Sequence, residues 1–191
     1  MTTISIVYHS GYGHTANQAK AILDGIKTID GVDASLIPID EHGDINETEW
    51  QMLDASDAII FGSPTYMGMA SWQFKKFADA TSKRWFNQDW KDKIAAGFTN
   101  SASMNGDKHS TLHYLITLAM QHSMIWVGTG MPPANTKSAG RDDINFLGSF
   151  AGLMAQSPSD AGADEAPTSG DIETAKLFGE RVAQASLAIA R

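Results

Sequence analysis

A chain of 191 residues, 42% of them hydrophobic, with 14 basic and 22 acidic side chains and a net charge of −8, suits one domain with a sizeable core. It contains no cysteine, which excludes disulfides, thiolate metal sites and iron–sulfur clusters and makes the cytosol the expected compartment. The basic residues form no patch for nucleic acid, no apolar run nears the ~20 residues that span a bilayer, and no signal peptide opens the chain, so neither partner is expected.

Ile4, Ile6 and Val7 mark a short strand buried on both faces of a parallel sheet. A loop free of acids follows: Ser10, Gly11, Tyr12, Gly13, His14 and Thr15. Ala16, Ala19, Ile22, Leu23, Ile26 and Ile29 then fall on one helix face, and Asp30-Gly31 stops that helix. Residues 32–39 read as a second strand, 40–46 as a polar loop and 47–53 as a short helix. Residues 57–62 form a third buried strand, 63–68 a loop, and 71–85 a helix with Trp72, Phe74, Phe77 and Ala78 inward.

The fourth strand covers residues 93–99 and ends in a polar loop at 100–106. A helix from Asp107 or Lys108 to His122 carries Leu112, Leu115, Leu118 and Ala119. The fifth strand is 124–127. Residues 128–168, rich in Gly, Pro, Ala and Ser, show no clear periodicity; within them Ile144, Phe146, Leu147 and Phe150, with Leu153 and Met154, make an apolar excursion. Thr168 and Asp171 resemble a capping box before a last helix over 172–190. Strands alternating with helices predict a single α/β domain over 1–191: a three-layer sandwich with a five-stranded parallel sheet and helices on both faces.

Strand, tight loop and helix start together aim backbone N–H groups at one point, which suits an anion such as a phosphate. The loop at 10–15 lacks the GxxxxGK[ST] pattern, and Ala16 stands where GxGxxG has its third glycine. It resembles instead the flavodoxin phosphate loop: Ile6, Val7 and Tyr8, then Ser10, Gly13, Thr15, Ala19 and Ile22 all agree with that signature. An ordinary βα turn with a Thr cap is the plain alternative. Ligands of open α/β sheets bind beyond the carboxyl ends of the strands, so the loops at 63–68 and 99–106 join the first. Their N–H groups, hydroxyls and aromatics, without positive charge, suit a flat heteroaromatic ring, and flavin mononucleotide (FMN) matches.

Residues 57–79, DAIIFGSPTYMGMASWQFKKFAD, and YHSGYGHTANQAKAILDGIKTIDG near the start are similar to the flavodoxin-like NAD(P)H:quinone oxidoreductases of the tryptophan-repressor-binding-protein type. The resemblance runs over 4–127 and returns in the last helix. It implies an FMN enzyme taking electrons from NAD(P)H to a quinone-like acceptor, with the flavin doing the chemistry. By resemblance the first loop holds the FMN phosphate; Pro64, Thr65, Tyr66 and Met67 lie along the ring; and Asn100, Ser101, Ala102, Ser103, Met104 and Asn105 contact its pyrimidine side and ribityl chain. Tyr12 would meet nicotinamide and Trp85 the substrate, although Trp85 reads equally as core or surface. His122, or Gln121 in the other register, would line the site. The family's assembly implies a homodimer or homotetramer, and the apolar excursion within 141–156 is expected at the subunit interface or over the flavin.

The alternatives are a flavodoxin-type electron carrier and a flavin-binding protein without turnover. The site loops contain no Asp or Glu, so two electrons are expected to enter together rather than singly. His109 and His113, one turn apart, have no third ligand in view, and a solvated helix face is favoured over a metal site.

Overall fold

The computed structural model describes residues 1–189. Its elements are β1 (Thr2–Tyr8), α1 (His14–Ile26), β2 (Val32–Pro38), α2 (Glu47–Ala55), β3 (Ala58–Tyr66), β4 (Met69–Ala70), α3 (Trp72–Ala80), α4 (Ser82–Asn87), β5 (Ile94–Ser101), α5 (Lys108–Gln121), β6 (Ile125–Trp126), β7 (Leu153–Gln156) and α6 (Ser169–Ile189). The parallel sheet runs β2-β1-β3-β5-β6, β7 also pairs with β5, and β4 folds back antiparallel on the end of β3. The expected flavodoxin-like three-layer architecture is present.

Two apolar clusters, one on each face, explain why the strand sequences are apolar almost throughout. Ile4, Ile6, Ile60 and Phe98 pack with Ile22 and Phe178, residues of α1 and α6. Val7, Ile59, Phe61 and Ala95 pack on the other face with Phe74, Phe77, Leu112 and Leu115, from α3 and α5. Ser5, a polar residue among the isoleucines of β1, pairs its hydroxyl with Ser56 at 2.7 Å, so its burial leaves no orphan.

Helices α1 and α6 approach backbone to backbone. A Cβ on Gly179 would overlap the Ile22 carbonyl oxygen, and one on Gly25 would overlap the Lys176 carbonyl oxygen. Only glycine at both positions permits this spacing, which fixes α1 and the loop before it on the sheet.

Several expectations need correction. The helix expected over 71–85 is two helices, broken at Thr81, whose hydroxyl bonds the Ala78 carbonyl at 2.6 Å and so competes with the helical ladder. Trp72 is 61% exposed rather than inward: the buried face of α3 is taken by Phe74, Phe77 and Ala78, and Trp72 lies off it. The fifth strand has only two residues in β6, and the same sheet position is completed by β7, inside the stretch expected to be irregular. Leu153 of the apolar excursion is therefore core. At the start of α6, Thr168 Oγ1 accepts from Asp171 N at 3.5 Å, but the Asp171 carboxylate turns to Arg141 and to the N–H of Gln156 instead of closing a capping box. The expected last helical residue, Ala190, lies outside the described residues.

Candidate functional site

The carboxyl ends of β1, β3, β5 and β7 share one edge of the sheet. The strand order reverses there between β1, which connects outward to β2, and β3 on its other side. A cavity of ≈ 520 Å³ opens at this edge, within the range that holds drug-sized ligands. Tyr12, His14, Thr15, Pro64, Thr65, Tyr66, Asn100, Ser101 and Ala102 line it, so all three predicted loops converge.

The first loop is built for an anion. Gly13 takes φ +89 as N-cap of α1, and a Cβ there would come within 2.7 Å of Ala163 Cβ. Ser10 Oγ accepts from Ala16 N at 3.1 Å, which ties the loop to the first turn and leaves the hydroxyl proton free to donate outward. Among the described residues the backbone N–H groups of Gly11, Tyr12, Gly13, His14 and Thr15 have no acceptor, and the Thr15 hydroxyl makes no hydrogen bond. A run of free N–H groups at the positive end of a helix is an anion nest. That donor set fits the phosphate of FMN.

Aromatic walls stand beside it. The rings of Tyr12 and Tyr66 meet edge-on with centroids 6.3 Å apart. Burial, and secondarily Tyr12, raise the Tyr66 phenol above its ordinary pKa, so it stays protonated and can donate. Below the floor, Thr65 Oγ1 bonds Thr99 Oγ1 at 2.8 Å and Thr111 Oγ1 at 2.7 Å, and Asn100 donates to Ser157 Oγ at 2.9 Å. These buried links lock three strand ends together. Gly11 and Gly13 contribute backbone, and Met67 stands fully exposed at the tip of the β3–β4 hairpin.

Ser103, Met104 and Asn105 lie further along the third loop. Met104 and Asn105 face a neighbouring cavity of ≈ 550 Å³ with Phe146, Leu147 and Phe150 of the excursion. His109 also lines that cavity; its ring centroid is 6.5 Å from that of His113, and no group of three metal-ligating side chains forms among the described residues.

His122 and Trp85 are not at this site. His122 caps the end of α5, bonds Thr81 Oγ1 at 2.9 Å and stacks on Trp90 at 4.6 Å. Ile125, three residues on, pairs with Ile94 at the start of β5, whereas the cavity lies at Asn100 and Ser101, a strand length of ~20 Å away. Burial pulls the His122 pKa down to about 4, with Arg84 adding to the shift, so its imidazole is neutral. Trp85 sits in α4 at the same far edge, its N–H bonded to the Thr81 carbonyl. Gln121, the other register, is exposed at that edge too.

The sequence reading missed one wall. Ser157, Pro158, Ser159, Ala161 and Gly162, the loop after β7, close the cavity. Two residues of the α1 start hold this loop: His14 Nε2 lies 3.1 Å from the Ala161 carbonyl, and Asn17 donates to the carbonyls of Ala163 and Ala166. A signal existed, since Leu153, Met154 and Ala155 followed by Ser-Pro-Ser repeat the strand-to-polar-loop pattern of the first motif.

Comparison with known proteins agrees with this geometry. Residues 13–137 match the family model described as NADPH-dependent FMN reductase. The chain is 53% identical over 184 residues to Flavodoxin FldP of Pseudomonas aeruginosa, covering 96% of each protein. It is 30% identical over 203 residues to an NAD(P)H dehydrogenase (quinone) of Archaeoglobus fulgidus, covering 96% of this chain and 97% of that one. The crystal structure of a WrbA-like flavodoxin from Agrobacterium tumefaciens superposes with a TM-score of 0.79 at 46% identity, covering 98% of this chain and 99% of the other.

Proposed function

Since this chain belongs to the NADPH-dependent FMN reductase family, we propose that it is an FMN-dependent oxidoreductase that moves electrons from NAD(P)H to a quinone-like acceptor. One observation carries the reading: the free N–H groups of residues 11–15 open on a cavity walled by tyrosines and free of carboxylates. The N–H nest, with the Ser10 and Thr15 hydroxyls, binds the FMN phosphate. Pro64, Thr65 and Tyr66 give the ring a flat wall. Tyr12, 78% exposed at the mouth, meets the incoming nicotinamide or acceptor. The bound flavin supplies hydride acceptance and return, and no side chain has to move a proton for it. A nicotinamide donor sets the reaction in the cytosol, where that donor is found.

The second reading, an electron carrier, is favoured by the relative at 53% identity named a flavodoxin. The two separate in one anaerobic experiment. FMN-loaded protein is mixed with NADH or NADPH, and the flavin absorbance is followed before and after adding a benzoquinone. Bleaching by a nicotinamide and recovery with the quinone is expected. Bound FMN that neither nicotinamide bleaches removes the NAD(P)H reading.

We also propose that the protein works as a homodimer or a homotetramer. Met67, Met69 and Trp72 form an exposed apolar rim along the hairpin and first turn of α3, and such a rim is normally covered. Light scattering at micromolar concentration is expected to give at least twice the chain mass; a monomer there removes the proposal.

A further inference from the structure

Lys108 begins α5 and is 1% exposed. Its ammonium donates to Ser101 Oγ at 2.8 Å, to the Ser103 carbonyl at 2.7 Å and to the Met104 carbonyl at 2.9 Å, which uses all three protons. The position is costly, because it buries a cation and also puts it at the positive end of a helix. Methionine would fill the space at lower cost.

The arrangement shapes the loop above it. A trans peptide points its C=O and the following N–H in opposite directions. With the Ser103 and Met104 carbonyls turned inward to Lys108, the N–H groups of Met104 and Asn105 turn away from it. Among the described residues, the N–H groups of Ala102, Ser103, Met104 and Asn105 have no acceptor.

Among the groups withdrawn from solvent here, two cations stand against one carboxylate, with the exposed Asp107 outside them. The Asp171 carboxylate, 3% exposed, pairs with Arg141 at 2.8 Å and accepts from Gln156 N at 2.9 Å, while the Gln156 side chain donates to the Ala102 carbonyl at 2.7 Å. Lys108 adds a second cation to that pair, with Asp107 and His109 as its exposed neighbours in the chain. Burial lowers the Lys108 pKa to about 8, with Asp171 opposing and Arg141 reinforcing the shift, so the ammonium is charged at pH 7.

We propose that Lys108 is a positioning residue for FMN: it holds the 102–105 loop, whose Ala102 end lines the cavity, with N–H groups left without partners for the negative charge that the ring gains on reduction, and it sets a positive charge beneath that loop. The proposal rests on the FMN reading above. It makes reduced FMN bind more tightly than oxidised FMN relative to a chain without this cation.

The test compares wild type with K108M, K108Q and K108R by fluorescence titration of oxidised FMN and by the two-electron midpoint potential at pH 7. K108Q keeps amide donors and covers the case in which K108M does not fold. Both neutral variants are expected to bind oxidised FMN within about threefold of wild type and reduced FMN about tenfold more weakly, a fall of about 30 mV. K108R is expected to keep the wild-type potential. Unchanged potentials in the neutral variants, or equal losses for the two redox forms, overturn the proposal and leave Lys108 as a loop strut. Failure of wild type to bind FMN is a separate result: it removes the FMN reading itself.

Discussion

Riboflavin will bind this chain about a hundredfold more weakly than FMN. The two ligands differ only in the phosphate, and the chain offers that group the free N–H groups of Gly11, Tyr12, Gly13, His14 and Thr15 at the start of α1. A hydrogen bond to a charged group contributes ~1.5 kcal/mol at the low end, so two of them give ~3 kcal/mol, about a hundredfold in affinity. Thr15→Val removes a hydroxyl that has no partner within the described residues. It should weaken FMN about tenfold and leave riboflavin unchanged. Flavin fluorescence quenching measures both. Equal affinities for the two flavins would mean that the loop is an ordinary βα turn.

Gly179→Ala will lower stability by about 2 kcal/mol, although alanine is the better helix former. Alanine gains ~1 kcal/mol in a helix interior. Against this, its Cβ overlaps the carbonyl oxygen of Ile22, a backbone atom that no rotamer change can move aside. Helices α1 and α6 must separate, an overpacking cost at the upper end of ~1–3 kcal/mol for side chains and greater for backbone. Gly25→Ala meets the Lys176 carbonyl and should cost a similar amount. The double variant should lose less than the sum, because one separation relieves both overlaps. Gly140→Ala is the control, since nothing lies within 4 Å of its added Cβ. Urea midpoints report all four. A Gly179→Ala midpoint at or above that of wild type would mean the helices are not held at this spacing.

What could be read from the sequence was local. The first motif spans strand, loop and helix within 4–22, so each residue's role follows from its neighbours, and the loop does sit at the cavity. The strands of the buried sheet announce themselves because both of their faces are apolar. What depends on distant partners was not legible. Residues 153–156 become a strand only because Phe98 through Ser101 offer an unpaired edge. Trp72 looks like core by composition, but it lies off the face of α3 that Phe74, Phe77 and Ala78 bury. His122 was assigned by resemblance of register, and the chain sends it to the amino edge of the sheet. The wall at 157–162 was missed because its strand was missed.

The split fifth strand has a consequence for how this molecule tolerates change. Ile125 and Trp126 stand opposite Ile94 and Ala95, and Leu153 stands opposite Phe98. Val127, whose N–H bonds the Ala95 carbonyl, and Gly152, against the Gly97 carbonyl, fill the two rungs between. Counted along the sheet, 127 is followed by 152 with no rung skipped. Residues 128–151 are thus a parenthesis in the text of the strand. A change of length between its two ends shifts no ladder bond, while Arg141 on Asp171 and Asn145 on Thr174 tie the same segment to α6, so its length and its anchoring are set by different residues.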